Sequence, residues 1–137
     1  MMGNMKLYIP AKIIVKRSSA GLGLFAKEPI KKGAFIIEYI GELITQEEGN
    51  RRGGKYLFEL NKKMMIDGKA RSNTARYANH SCKPNAEIDI KKGRILMTSI
   101  KSIKEGDEIT YDYGKEYVDE FIKPFGCRCA SCALKKK

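Results

Sequence analysis

The chain has 137 residues, of which 42% are hydrophobic and 31% charged, and its formal net charge is +11. This length suits one domain with its own core, and no run reaches the roughly 18 apolar residues that a membrane span needs. The first residues lack the apolar core and cleavage site of a secretory signal, so we expect an intracellular protein in a reducing compartment.

The predicted elements are mostly short β-strands, which glycines and charged residues separate along the chain. In chain order, strands are predicted at 13–15, 34–40, 56–60, 86–90, 94–100 and 108–113. Residues 45–52 and 115–122 have a helical pattern, and residues 72–78 form at most a short helical turn. The segment IDIKKGRILM predicts a hairpin around residues 91–93. These elements indicate a mainly β architecture of small curved sheets with few short helices.

The stretch SSAGLGLFA, residues 18–26, contains a GxG pattern. A lone GxG more often marks a turn or a bulge than a ligand loop. It is not a dinucleotide-binding fingerprint, because neither a third glycine nor a helix follows it. Taken alone, this stretch therefore predicts a turn or a bulge.

The four cysteines are unevenly distributed, with Cys82 in NHSCKPN and the other three in the segment CRCASC, at Cys127, Cys129 and Cys132. In a reducing compartment, clustered cysteines favour a metal over disulfides, and a closed zinc site takes four ligands. The count reaches four only if the C-terminal segment folds back onto Cys82. We therefore predict one structural zinc held by all four cysteines. The alternative, free cysteines with a redox-active tail, leaves Cys82 without a role.

Taken in order, SAGLGLFA, YIGE, RYANHSCKPN, GDEITYDYG and CRCASC resemble the motifs of SET-domain protein lysine methyltransferases. The most specific part of the resemblance is NHSCxPN followed by a strand that ends in YDYG. The resemblance implies a SET domain over residues 8–114 and a zinc-binding post-SET tail over residues 115–137. It also implies that the NHSC and YDYG segments cross in a pseudoknot, an exception to the usual avoidance of threading.

The resemblance further implies that the protein uses S-adenosylmethionine. Glycines in the GxG segment would let the backbone approach this cofactor closely. His80 would act through hydrogen bonds and placement and not as a general base. The positions that match the cofactor-binding residues of the family are Ala20, Gly21, Leu22, Gly23, Tyr56, Arg76, Asn79, His80, Tyr113 and Leu134.

Tyr113 matches the catalytic tyrosine of the family, and Tyr39 and Tyr111 match positions that line the channel for the target lysine. The alternative for Tyr39 and Tyr56 is that both are ordinary half-buried strand tyrosines. A tyrosine two positions before the catalytic one tends to restrict the product to monomethyl-lysine. The lysine, whose free pKa is about 10.4, must arrive neutral, which a desolvated channel and a nearby sulfonium both favour.

The resemblance implies a lysine in a histone tail as substrate, while another basic protein, or peptide binding without turnover, stays open. The positive charge also predicts loose, salt-dependent attraction to nucleic acid or chromatin, without an aromatic nucleic-acid motif. The expected location is the nucleus or chromatin in a eukaryote, and the cytoplasm or nucleoid in a microbe. Acidic side chains that would receive a basic tail, or would simply be solvated, are Glu38, Glu42, Glu87, Asp89, Asp119 and Glu120.

Overall fold

The structure is a computed structural model that describes residues 9–19 and 21–114. Within this range the chain forms three small sheets, and one α-helix and one 3-10 helix accompany them. In chain order the elements are β1 (Ile13–Ser18), β2 (Gly21–Ala26), β3 (Phe35–Tyr39), β4 (Glu42–Thr45), α1 (Gln46–Arg52), β5 (Leu57–Glu59), β6 (Met64–Asp67), the 3-10 helix (Thr74–Tyr77), β7 (Asn79–His80), β8 (Ala86–Lys91), β9 (Arg94–Ser99) and β10 (Glu108–Tyr111). In the described ranges, no helix has the length and apolar character to cross a membrane. The predicted mainly β architecture of small sheets is confirmed.

The first sheet has the strand order β1-β2-β10-β7 and contains both motif segments of the expected crossing. β1, β2 and β10 pair in antiparallel fashion, whereas β7 runs parallel to β10. Asn79 lies opposite Thr110, and His80 lies opposite Tyr111. The NHSC and YDYG segments, distant in sequence, therefore lie side by side.

The second sheet has the order β3-β9-β8 and contains the predicted hairpin. β8 and β9 are joined by Lys92 and Gly93, whose φ angles are 51° and 76°. Two consecutive residues with positive φ are what a two-residue type I′ hairpin turn requires, because its twist matches that of the strands. Glycine accepts this conformation readily, and the KKGR sequence therefore turns here.

The third sheet, of order β4-β6-β5, carries α1 beside it. The side chain of Thr45 caps the helix by accepting a 3.0 Å hydrogen bond from the Glu48 amide. The helix ends at Arg52, and the next residue, Gly53, caps it with a positive φ of 65° that is unfavourable for other residues. Local signals thus explain why the helix predicted at residues 45–52 is confirmed at Gln46–Arg52.

Within residues 9–19 and 21–114, buried side chains form two core clusters, and the larger one explains a difference from the sequence prediction. Leu24 and Ala26 are 0% and 2% exposed and belong to the larger cluster. Because these side chains pack against neighbouring strands, the GLGLFA segment forms the strand β2. The GxG pattern alone had predicted a turn or a bulge here. Only Gly21, at φ 101°, keeps a turn-like conformation at the start of the strand. The smaller cluster contains Tyr39, Ala75 and Ile95.

Candidate active site

The candidate site lies where β2, β7 and β10 meet, and the Asn79 side chain connects these strands. Its Nδ2 donates a 2.9 Å hydrogen bond to the carbonyl oxygen of Leu22 on β2. The same nitrogen lies 2.9 Å from Glu108 Oε2 on β10 and 3.1 Å from Ser18 Oγ on β1. One amide group thus joins the GxG segment, the NHSC segment and the strand that leads to YDYG.

Tyr113 is held by the chain around NHSC through two hydrogen bonds and a ring contact. Its hydroxyl donates to the carbonyl oxygen of Ala78 at 2.5 Å, and its backbone N–H donates to His80 Nδ1 at 3.1 Å. The rings of His80 and Tyr113 pack with their centroids 5.4 Å apart. The half-buried tyrosine therefore has a fixed hydroxyl position.

His80 is buried, and its hydrogen bonds define one neutral tautomer. Burial lowers the pKa of the imidazole below its usual value, and the negative charge of Asp112 partly opposes this shift. Since Nδ1 accepts the Tyr113 N–H, the ring proton lies on Nε2. Nε2 lies 3.5 Å from Cys82 Sγ, so it is the donor of that contact. This arrangement agrees with the expectation that His80 positions neighbouring groups through hydrogen bonds and does not act as a base.

Tyr111 is 7% exposed and packs beside Tyr113, with ring centroids 4.8 Å apart and an interplanar angle of 51°. Its carbonyl oxygen accepts a 3.2 Å hydrogen bond from the Ser81 amide, which continues the pairing of the two segments. Tyr111 and Tyr113 together form an aromatic corner at the end of β10.

Three other predicted site residues form a second group near the 3-10 helix. The hydroxyl of Tyr39 donates to the carbonyl oxygen of Tyr56 at 2.6 Å, and its ring packs against Phe58. The guanidinium of Arg76 lies 4.6 Å from the centroid of the Tyr56 ring and donates to the carbonyl oxygen of Lys69 at 2.6 Å. Tyr39, at 5% exposure, is therefore more deeply buried than the half-buried tyrosine considered as its alternative.

The predicted cofactor residues of the GxG segment differ in exposure. Gly21 and Leu22 are exposed, with Leu22 at 53%, whereas Gly23 is buried. A methyl group on Gly23 would lie 2.5 Å from Glu108 Oε2, too close for an undisturbed contact. Glycine at position 23 thus leaves space for the Glu108 side chain, and not only for an approaching ligand. Ala20 and Leu134 lie outside the described residues.

Cys82 is exposed beside the site, with His80 Nε2 as its neighbour. Across residues 9–19 and 21–114, no group of three or more His, Cys, Asp or Glu side chains is arranged to hold a metal ion. The other three predicted ligands, Cys127, Cys129 and Cys132, lie outside the described residues, and so does the rest of the predicted tail.

Two asparagines that the sequence analysis did not assign also shape this region. Asn85, in the NHSCKPN motif, donates to the carbonyl oxygen of Glu108 at 2.8 Å and accepts from the Thr110 amide at 2.9 Å. It therefore binds the backbone of β10 as a neighbouring strand would. Its position inside the NHSCKPN motif could have indicated a role for Asn85 in this region.

Asn73 is the second such residue, and it is 1% exposed. Its Oδ1 accepts from the Ile40 amide and its Nδ2 donates to the carbonyl oxygen of Gly68, both at 3.0 Å. These bonds connect the end of β3 to the loop after β6. No pattern around residue 73 indicates this role.

Several of the acidic side chains considered for docking a basic tail are paired within the protein. Close ion pairs join Glu38 to Arg94, Glu42 to Arg52 and Asp89 to Lys91. Paired carboxylates attract a basic peptide less than isolated ones do. Asp119 and Glu120 lie outside the described residues.

The fold and these motifs define the class of the protein. The family model described as SET domain matches residues 21–114, and the chain belongs to the SET-domain family. The chain is 36% identical over 128 residues to histone-lysine N-methyltransferase 2D of Homo sapiens, covering 85% of this chain and 2% of that protein. It is 34% identical over 137 residues to histone-lysine N-methyltransferase ASHH3 of Arabidopsis thaliana, covering 90% of this chain and 37% of that protein.

Among solved structures, the fold is similar to a chain in the crystal structure of an active polycomb repressive complex 2 in the stimulated state. The TM-score is 0.72 and the identity 34%, over 78% of this chain and 16% of the other. The match supports the mainly β SET fold described above. The chain thus spans only a small part of the length of this structural neighbour.

Proposed function

We propose that this SET domain is an S-adenosylmethionine-dependent protein lysine N-methyltransferase with Tyr113 as its catalytic residue. The observation that carries the proposal is the fixed Tyr113 hydroxyl, 2.5 Å from the carbonyl oxygen of Ala78 at the meeting point of β7 and β10. S-adenosylmethionine would supply an electrophilic methyl group on its sulfonium. The two relatives described above are both named histone-lysine N-methyltransferases, which supports the same reaction class.

The described residues fit such a cofactor in two respects. Gly21 and Leu22 are exposed at the start of β2, and the Asn79 amide lies beside them and donates to the Leu22 carbonyl oxygen, so a ligand would reach this end of the strand. Within the described part of the chain, Arg76 Nε is buried without a hydrogen-bond partner. A buried donor is costly to leave unpaired, and a polar ligand would satisfy it. Together with His80, Tyr56 and Tyr113, these residues would bind the cofactor, and Ala20 and Leu134 would extend the site.

Tyr113 and Ala78 would orient the reacting groups. With its own proton donated to Ala78, the Tyr113 oxygen keeps lone pairs that accept weak C–H···O contacts or a lysine N–H. Placement of this kind supplies much of the rate of a displacement reaction. His80 holds the tyrosine backbone through Nδ1, so this nitrogen is not available as a base in the same arrangement.

The aromatic corner would admit the lysine as a neutral amine. Tyr111 and Tyr113 pack together and would exclude water from one wall of the proposed channel, and desolvation disfavours the charged ammonium. Tyr39 would contribute from the neighbouring group. Because the Tyr111 side chain is almost fully buried against this wall, we propose that it limits space around the amine and favours monomethylation.

The tail would hold one structural zinc through Cys82, Cys127, Cys129 and Cys132. The exposure of Cys82 suits a ligand that must meet other parts of the chain, and the Nε2–H of His80 beside its sulfur stabilises a thiolate. Zinc would thereby fix the tail, residues 115–137, next to the SET domain proper, residues 8–114.

Histone tails are the proposed substrates, which would place the protein in the nucleus or on chromatin if its source is eukaryotic. The net charge of +11 supports additional loose attraction to nucleic acid. A different basic protein is the alternative substrate, and peptide binding without turnover is the alternative function.

The test is methyl transfer from radiolabelled S-adenosylmethionine to mixed core histones, with Tyr113→Phe beside the wild-type protein. Removing the hydroxyl keeps the ring packing, and we expect the rate to fall at least about hundredfold because the reacting groups lose their placement. The control is Ser102→Ala, which removes an exposed hydroxyl from a residue with no role in the candidate site and should change the rate less than about threefold.

Label on a histone that Tyr113→Phe abolishes would support the proposal. No label on any histone, with cofactor binding measured by calorimetry, would direct the search to other basic proteins or to the peptide-binding function. Absence of cofactor binding would contradict the proposal altogether.

A further inference from the structure

We propose that Glu108 is a positioning residue that fixes the orientation of the Asn79 amide, and that position 23 is glycine because this carboxylate occupies the space beside it. The inference rests on the proposed function, in which Asn79 is a cofactor-binding residue. It concerns a contact within the protein that the sequence motifs do not assign. Glu108 itself lies at the start of β10, two residues before the segment that pairs with β7.

The contacts of Asn79 decide which way its amide points. Nδ2 lies 2.9 Å from both Glu108 Oε2 and the carbonyl oxygen of Leu22. A carboxylate and a backbone carbonyl only accept hydrogen bonds, and the amide nitrogen carries two hydrogens to donate. The reversed amide would place its own oxygen against both acceptors. The charge of the carboxylate strengthens the preference, because hydrogen bonds to charged groups are stronger.

Gly23 provides an independent observation on the same carboxylate. Built onto its backbone, a methyl group would lie 2.5 Å from Glu108 Oε2 and 3.1 Å from Asn79 Nδ2. The contact with Glu108 is too short, whereas the contact with Asn79 is tight and needs a shift of only a few tenths of an ångström. The flexible end of Glu108 is therefore the part that would move. Gly23→Ala is therefore expected to displace the carboxylate without changing Glu108 chemically.

The contacts also predict which kinetic parameter depends on Glu108. With both hydrogens of Nδ2 engaged, the Asn79 oxygen remains as the acceptor that the site presents to a ligand. Tyr113 is held separately, through Ala78 and His80. Loss of the carboxylate would therefore weaken cofactor binding much more than it slows the methyl-transfer step.

The experiment compares Glu108→Ala, Glu108→Gln and Gly23→Ala with the wild-type protein. The control is Glu105→Ala, which removes an exposed carboxylate from the preceding turn. The dissociation constant of S-adenosylmethionine is measured by calorimetry and kcat by saturated methyl transfer. We expect the dissociation constant to rise about tenfold in Glu108→Ala and Gly23→Ala, the size of one lost charged hydrogen bond, with kcat within about threefold.

Glu108→Gln retains a side-chain oxygen that accepts from Nδ2, so it should bind the cofactor within about threefold of the wild type. The double variant Gly23→Ala with Glu108→Ala should bind no more weakly than the worse single variant, because both changes act on the same contact between Glu108 and Asn79. Additive losses in the double variant, or an equal loss in Glu105→Ala, would overturn the proposal.

A second readout does not depend on catalysis. In the cofactor-free, ¹⁵N-labelled protein, the side-chain NH₂ resonances of Asn79 should move in Glu108→Ala and Gly23→Ala and stay in place in Glu105→Ala. Unmoved resonances would overturn the inference even if the enzyme is active. If the wild type neither binds the cofactor nor transfers methyl groups, the proposed function fails, and these resonances still decide the inference. If Glu108→Ala does not fold, the Gln and Gly23 variants give the answer.

Discussion

Under the proposed function, the Tyr111 hydroxyl limits how many methyl groups the target lysine accepts. Tyr111→Phe leaves the ring in place, 4.8 Å from the Tyr113 ring, and removes only the phenol oxygen. Because the lost oxygen frees room around the amine, we expect the product to shift from monomethyl-lysine to di- and trimethyl-lysine. Mass spectrometry of a methylated histone peptide measures the shift. A wild-type product dominated by trimethyl-lysine would contradict the role given to Tyr111.

Asn73 is a residue whose importance is structural. Asn73→Ala leaves the Ile40 amide and the Gly68 carbonyl buried without their side-chain partner. Unpaired buried groups are costly, so we expect the free energy of unfolding to fall by about 2–3 kcal/mol in urea titrations. Asn50→Ala, the same change on the exposed side of α1, is the control and should stay within about 0.5 kcal/mol. Similar losses in both variants would show that the buried bonds do not carry the effect.

At the scale of the element, α1 is fixed to its sheet by charges at its last turn. Arg52 lies 2.7 Å from Glu48, 2.9 Å from Glu42 and 3.0 Å from the buried Asp67. Hydrogen bonds from Arg51 first, and then from Arg52, lower the pKa of Glu48 from 4.5 to about 2. A single exposed ion pair contributes little, but these shared partners form a network between α1, β4 and β6.

This lowered pKa predicts how the helix responds to acid. A carboxyl group whose pKa is lower in the folded state stabilises that state fully above its ordinary pKa, here 4.5, and loses this contribution as the pH falls toward about 2. Carboxyl ¹³C shifts of Glu48 should therefore show it still ionised at pH 4. Arg51→Ala should raise its pKa toward the ordinary value. An unchanged titration in that variant would contradict the assigned cause.

For the whole molecule, we expect removal of the predicted zinc to abolish activity while the sheets stay folded. The side chains of both core clusters lie within residues 11–113, and Cys82 is not among them. We expect a strong chelator to release one zinc per chain and abolish methyl transfer, while circular dichroism retains the β signal. Cys82→Ser should behave in the same way, because a hydroxyl is a poor substitute for a zinc-binding thiolate. Purified protein without zinc, or full activity after chelation, would contradict this prediction.

What the sequence predicts depends on how far apart the interacting residues are. The turn at Lys92 and Gly93 and the helix capped by Thr45 follow from neighbouring residues, and both are confirmed. Periodicity did not predict β7, a two-residue strand that exists only because β10 lies beside it. Likewise, the sequence around Gly23 indicated only a turn or a bulge. The Glu108 carboxylate, which fills the space beside Gly23, is distant in sequence. The resemblance to the SET-domain family predicted that the NHSC and YDYG segments lie together, which local patterns could not do.

The parallel pairing of β7 with β10 also leads to an expectation about the order of folding. The hairpins β1–β2 and β8–β9 join neighbouring segments and need only short loop closures. In contrast, His80 and Tyr113 are 33 positions apart, so the entropy of a long loop is lost before their contacts form. We therefore expect the candidate site to assemble late in folding. Catalytic activity would then report that the chain has completed its fold, and a partly folded chain would be inactive.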